Sequence, residues 1–190
     1  LSFGGFGIIT WAGLLKKTRL LSTVIALPVG VAVYTFASAF IYAAGINRPE
    51  IGIYITVIIS LLGLLTAVNK KKMGPSDMQV FPYILAVVSA LMLTVRYVVT
   101  PILSFDSYKF IIIGKAFGSS IFSFGSSGLL SRPLMITNFQ AGGDIFNLDY
   151  VVYIPIVTGL LSIIGATLVI TDVFSSSKNQ ATFSALIALL

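Results

Sequence analysis

The sequence predicts an all-α fold: a polytopic helix bundle embedded in a membrane, with about five to six transmembrane helices, short loops and no soluble domain. Three observations lead there. Of 190 residues, 57% are hydrophobic and only 9% charged, and the mean hydropathy is +1.02; a soluble domain needs roughly a quarter of its residues charged to face water. The charges cluster between long apolar runs, several of which reach the ~20 residues that cross a hydrocarbon core. The lysines and arginines fall unevenly on alternate connections, as they do in multi-pass chains.

Read as one transmembrane domain over residues 1–190, the chain has predicted spans at 20–44, 51–68, 80–103, 110–130 and 150–174. The second has only 18 residues and must stand nearly upright or use its flanks. The apolar pieces 1–15 and 181–190 are short for a crossing. The first either spans by virtue of residues further upstream or lies in the interface with Trp11 at headgroup depth. Its basic cluster follows the apolar stretch instead of preceding it, so no cleavable signal peptide is expected. "NRPE" and "MGPSDM" read as turns. Pro82 and Pro155 fall near helix starts, where a missing N–H costs little, whereas Pro28 lies deeper and is a candidate kink.

Orientation follows from the cations. Lys16, Lys17, Arg19, Lys70, Lys71, Lys72 and Arg132 would share one side, against Arg48, Lys109 and Lys178 on the other. The positive-inside tendency then predicts a cell-membrane protein whose loops 16–19, 69–78 and 131–149 are cytoplasmic. Tyr42, Tyr54 and Tyr108 would lie near the outer interface, and Tyr83, Tyr150 and Tyr153 near the inner one. The same basic loops account for the net charge of +6, so no nucleic-acid partner is expected.

The chain has no cysteine and no histidine. That excludes disulfides, thiolate nucleophiles, Cys/His zinc sites, Cys-held iron–sulfur clusters and His-ligated haem from its own side chains. No acidic pair sits at a common membrane depth for general acid–base work. No catalytic, cofactor-binding or metal-ligating residue is predicted, no cofactor is assigned, and the chain is not expected to be an enzyme itself.

The stretch "GKAFGSSIFSFGSSGLLS" at 114–131 is the most distinctive. A phosphate-binding loop would need its lysine at the end of a G-x-x-x-x-G-K-[ST] run after a strand, and Lys115 instead follows the first glycine. On a helix, Gly114, Gly118, Gly125 and Gly128 fall within a sector of about 80°, a surface that a neighbouring backbone can approach closely. Ser119, Ser120, Ser123, Ser126 and Ser127 spread over the opposite face. Two readings stay open: a helix buried among others, its hydroxyls bonded to its own carbonyls, or a serine face lining a polar path. Gly159, Ser162 and Ala166 of the fifth span form a second small-residue stripe, a plausible mate.

Arg96 and Lys115 are the strongly charged residues set inside proposed spans, at similar depth from the "SFDSYK" turn. Such charges are costly at the helix centre. Either they snorkel or pair with Asp106 or Asp172, or they form a contact for a lipid headgroup or another anion. The connection 131–149 mixes Met135, Ile136, Phe139, Ile145 and Phe146 with polar residues and a Gly142–Gly143 pair, and is long enough to dock on something.

Two functions are carried forward. The first is a non-catalytic integral subunit of a multi-subunit membrane complex, with other membrane subunits and lipids as partners; an energy-converting or electron-transfer complex, such as a respiratory one, is the familiar setting. The second is a small oligomeric transporter or channel with an anion-favouring path along the serine face of 110–130.

Overall fold

The structure is a computed structural model that describes residues 1–13, 19–46, 48, 50–70, 75–98, 145 and 152–170. Among these residues the regular elements are helices: α1 (Ser2–Ala12), α2 (Arg19–Ala43), α3 (Glu50–Asn69), α4 (Pro75–Met78), α5 (Val80–Val98) and α6 (Val152–Ile170). Four of them, α2, α3, α5 and α6, are long and apolar enough to cross a bilayer, the pattern of a multi-pass membrane protein. They answer to the predicted first, second, third and fifth spans. The predicted span 110–130 and the piece 181–190 lie outside the described residues.

Helix boundaries follow local chemistry. Gly13, at φ 78°, closes α1 in the left-handed conformation. Gly45, at φ 80°, ends α2: its amide donates to the Tyr42 carbonyl at 2.9 Å, and the Ile46 amide donates to that of Ile41 at 3.1 Å. That paired motif satisfies carbonyls the helix end would otherwise orphan. Glu50 stands in the first turn of α3, where the helix dipole favours a negative charge. The α2 helix runs through Pro28 without interruption.

The α3 helix shows why the bundle holds together. Its buried residues are Gly52, Thr56, Ser60, Gly63 and Ala67, all small, while Tyr54, Ile58, Leu62 and Leu65 face outward. Lipid tails solvate leucine as well as a protein core does, so large apolar residues gain little by turning inward. Small ones gain close backbone contact and dispersion. The stripe spaced 52, 56, 60, 63 and 67 is one helical face.

Against that face stands α1. With eleven residues it rises only about 16 Å, half of a ~30 Å core. Gly4 meets Thr56, Gly7 meets Ser60 and Trp11 meets Gly63, so α1 runs parallel to α3; Gly5 meets Ala26, and Gly30 the Leu1 carbonyl, so it runs antiparallel to α2. Segment 1–15 was expected to lie in the interface or to span with the help of upstream residues. The described part stands upright in the cleft between α2 and α3, the orientation of the crossing alternative, with Gly4, Gly5, Phe6, Gly7, Ile9 and Thr10 buried.

One end of the bundle carries Arg19 and Lys70. Asp77, just before α5, lies 3.8 Å from Arg19, so α5 starts at this lysine end. Ile84 and Val80 pack with Phe6, Ile9 and Ala26, and Phe81 meets Phe3 and Phe6 at ring-centroid distances of 5.9 and 5.3 Å. The opposite end carries Tyr34 and Tyr42, both buried, with Ile53, Ile145 and Ile154 packed on them.

The direction of α6 corrects one expectation. Ile154 sits at the tyrosine end, whereas Gly165 lies beside Val24 and Ile25 near the lysine end. Thus α6 runs antiparallel to α2 and begins opposite Lys70. The connection 131–149 was expected on the lysine side, with Tyr153 at the interface there. At Ile145, the one described residue of that connection, the chain is at the tyrosine end, and Tyr153 is buried. The expectation rested on strict alternation of five spans and on Arg132 alone, a thin charge signal beside the clustered lysines.

Candidate functional site

Three features of the bundle offer themselves as functional. The first is the junction of α1, α2 and α3. Its polar groups are hydroxyls: Ser2, Thr10, Ser22, Ser38, Thr56 and Ser60 are buried. Thr10 donates to the Phe6 carbonyl at 2.6 Å and Thr56 to that of Gly52 at 2.7 Å; both bonds stay within their helix, as is usual for threonine in apolar surroundings. Ser60 is different, because its hydroxyl donates across to the Phe3 carbonyl of α1 at 2.6 Å. Ser38, which touches Gly52, has no hydrogen-bond partner for its hydroxyl among the described residues. Among the described residues the junction is a packing device built from small residues, and the polar groups it buries are hydroxyls.

Nothing at 52–67 was singled out in the sequence reading, although the spacing of Gly52, Thr56, Ser60, Gly63 and Ala67 carries the signal. Amid so many isoleucines and leucines, the stripe emerges only when the residues are plotted on a helix.

The second feature is an apolar groove between α1 and α3, with a volume of about 360 Å³, lined by Ile8, Trp11, Ile59, Leu62, Gly63 and Thr66. Gly63 forms its floor. A Cβ on Gly63 would stand 2.6 Å from the Gly7 carbonyl oxygen and 3.4 Å from the Trp11 Cβ, so the absent side chain is what lets the two helices close beneath the groove. The Thr66 hydroxyl is bonded to the Leu62 and Gly63 carbonyls, each at 2.9 Å, and leaves an apolar wall.

The third feature is the outward face of α6. Its inward residues Val157, Leu161 and Leu168 pack with Val24, Leu27 and Val95. Gly159, Ser162 and Ala166 face away, and no described residue lies within 4 Å of the position a Gly159 Cβ would take. The Ser162 hydroxyl bonds to the Thr158 carbonyl of its own helix at 2.7 Å. The structure thus places the predicted stripe on one surface of α6. Its proposed mate, Gly114, Gly118, Gly125 and Gly128, lies outside the described residues.

Of the two candidate anion or lipid contacts, Arg96 is in the last described turn of α5 and exposed, near the tyrosine end, where a cation suits the carbonyl end of the helix dipole. Lys115 lies outside the described residues. Among the described residues no group of three or more Asp or Glu side chains is placed to hold a metal ion.

Comparison with known protein families, characterised proteins and solved structures returns no match for this chain.

Proposed function

We propose that the chain is a non-catalytic integral subunit of a multi-subunit membrane complex, whose work is to hold helices in register. The observation that carries this is the outward stripe of α6. A helix meant only for lipid would turn Leu, Ile and Val outward, as α3 does with Ile58, Leu62 and Leu65. On α6 the exposed Ile156, Ile163, Val169 and Ile170 are interleaved with Gly159, Ser162 and Ala166, and these small residues leave notches in which another helix can pack closely. On α5, Ala86, Ser89, Ala90 and Thr94 likewise stand outward among the exposed Leu85, Leu93 and Tyr97.

We place the protein in the cell membrane with the connections 16–19 and 69–78 cytoplasmic, following their lysines. Ile145, the described residue of the connection 131–149, packs at the other end. An energy-converting complex remains the proposed setting, and the partner subunits would then hold the redox centres.

The test is mild extraction from native membranes, followed by a native gel, mass spectrometry and a visible spectrum of the band. A large band with reproducible partner subunits is the expected result, and redox absorption in it would mark the energy-converting setting. A chain that runs alone or as a small homo-oligomer overturns the subunit reading.

A further inference from the structure

The apolar groove between α1 and α3 lies in the lysine half of the bundle, and its geometry has a direction. Ile59, Leu62, Gly63 and Thr66 lie on one face of α3, and the next position on that face is Lys70, one turn on. The Lys70 amide donates to the Thr66 carbonyl at 3.0 Å, so the helical turn carries through and sets the exposed Lys70 directly beyond the groove. Trp11 forms the other wall and is 53% exposed; an indole of this kind favours the headgroup level of a bilayer. The slot is thus apolar in depth, aromatic at its rim and cationic at its mouth. Its volume of about 360 Å³ is within the roughly 300–1,000 Å³ typical of ligand sites.

We infer that this groove is a binding site for an anionic phospholipid, with one acyl chain lying over Gly63 between Trp11 and Leu62 and the headgroup phosphate at Lys70. The floor and walls ask for no hydrogen bond, because the Thr66 hydroxyl is already bonded to two carbonyls of its own helix. A hydrocarbon chain meets that demand. The charge at the mouth selects the headgroup: a lysine near an anionic membrane surface contributes about 1 kcal/mol, which is about a fivefold preference over a zwitterionic lipid. The site is distinct from Arg96, at the other end of the bundle, and does not depend on the subunit reading.

Trp11 is the one tryptophan of the chain, so tryptophan fluorescence reports the rim of the groove. The full chain would be reconstituted in phosphatidylcholine vesicles containing increasing fractions of phosphatidylglycerol or phosphatidylcholine brominated high on the acyl chains. Quenching is expected to saturate at severalfold lower fractions of the anionic lipid. Lys70→Gln is expected to remove about fivefold of that preference while leaving overall quenching intact. Thr66→Phe, which fills the groove from its rim, is expected to weaken quenching by both lipids. Circular dichroism and elution volume confirm that each variant is folded, and both substituted side chains lie outside the tight helix junction. Equal quenching by the two lipids overturns the proposal, since the groove would then be ordinary lipid contact. Quenching by neither also overturns it, and would mean that a second copy or another helix fills the groove. Anionic preference that survives both substitutions places the lipid elsewhere and overturns it too.

Discussion

The Ser60 hydroxyl of α3 donates to the Phe3 carbonyl oxygen of α1 at 2.6 Å, while the Cα side of Gly7 lies against the same serine. One residue thus supplies both a polar link and the closest approach between two helices. Removing the hydroxyl and enlarging the side chain therefore have different consequences. Interhelical hydrogen bonds in membranes contribute on average about 0.6 kcal/mol, and the Phe3 carbonyl keeps helical partners of its own. Ser60→Ala is expected to cost no more than about 1 kcal/mol. Ser60→Leu forces α1 away and is expected to cost several times as much. Reversible unfolding in mixed detergent micelles reads both, and equal losses would contradict the close approach.

Ser38 gives the complementary case. It is buried, it touches Gly52, and its hydroxyl has no hydrogen-bond partner among the described residues. A buried hydroxyl without a partner costs free energy. Ser38→Ala is therefore expected to leave stability unchanged or raise it by up to about 1 kcal/mol, in contrast to Ser60→Ala in the same unfolding assay. A loss matching that of Ser60→Ala would show that the hydroxyl is bonded after all.

Gly5 is the tightest point of the junction. A Cβ there would run into the carbonyl of Ala26 and stand 2.8 Å from the Gly30 nitrogen. Both obstacles are backbone, which cannot rotate aside. Helix propensity favours alanine over glycine by about 1 kcal/mol, but overpacking of this kind costs ~1–3 kcal/mol or more. Gly5→Ala is expected to destabilise despite its better propensity. A stabilised variant in thermal unfolding would show that α1 stands further from α2.

The four long helices were legible because a hydrocarbon core leaves little freedom: about 20 apolar residues between Arg19 and Ala43, or between Glu50 and Asn69, have few other uses. The place of α1 was not legible. A span-length test discards eleven residues such as "SFGGFGIITWA", and the glycines that make the segment a packing helix also lower its apparent helical character. Arg96 and the stripe of Gly159 and Ser162 could be named from sequence as candidates by their chemistry and spacing. Which neighbours they meet depends on tertiary arrangement, which spacing does not encode. The direction of α6 was missed because charge counting gave residues 131–149 a side on the strength of Arg132.

That direction can be checked by labelling, since the chain contains no cysteine of its own. Single cysteines at Lys70, Ile46 and Ile145 would be tested in sealed vesicles with a membrane-impermeant maleimide. Lys70→Cys and Ile46→Cys are expected to react from opposite sides, because they stand at opposite ends of α3 and α2. Ile145→Cys is expected to share the sidedness of Ile46→Cys, although Ile145 is partly buried and would react more slowly. Labelling of Ile145→Cys from the side of Lys70→Cys would restore the alternating five-span order and refute the antiparallel placement of α6 against α2.

Gly159 separates packing within the bundle from packing in an assembly. No described residue approaches its Cβ position within 4 Å, so none of the described residues resists a side chain there, and helix propensity favours alanine by about 1 kcal/mol. Gly159→Ala is expected to be neutral or slightly stabilising in the purified chain. Gly159→Leu is expected to leave the purified chain folded but to remove it from the large native band, because a leucine at the centre of the Gly159, Ser162 and Ala166 stripe holds a partner helix several ångströms off. The two measurements, unfolding of the purified chain and migration in the native gel, must diverge for the stripe to be an assembly surface. If Gly159→Leu unfolds the purified chain as well, the stripe packs within this chain, and the partner must be sought on the outward face of α5.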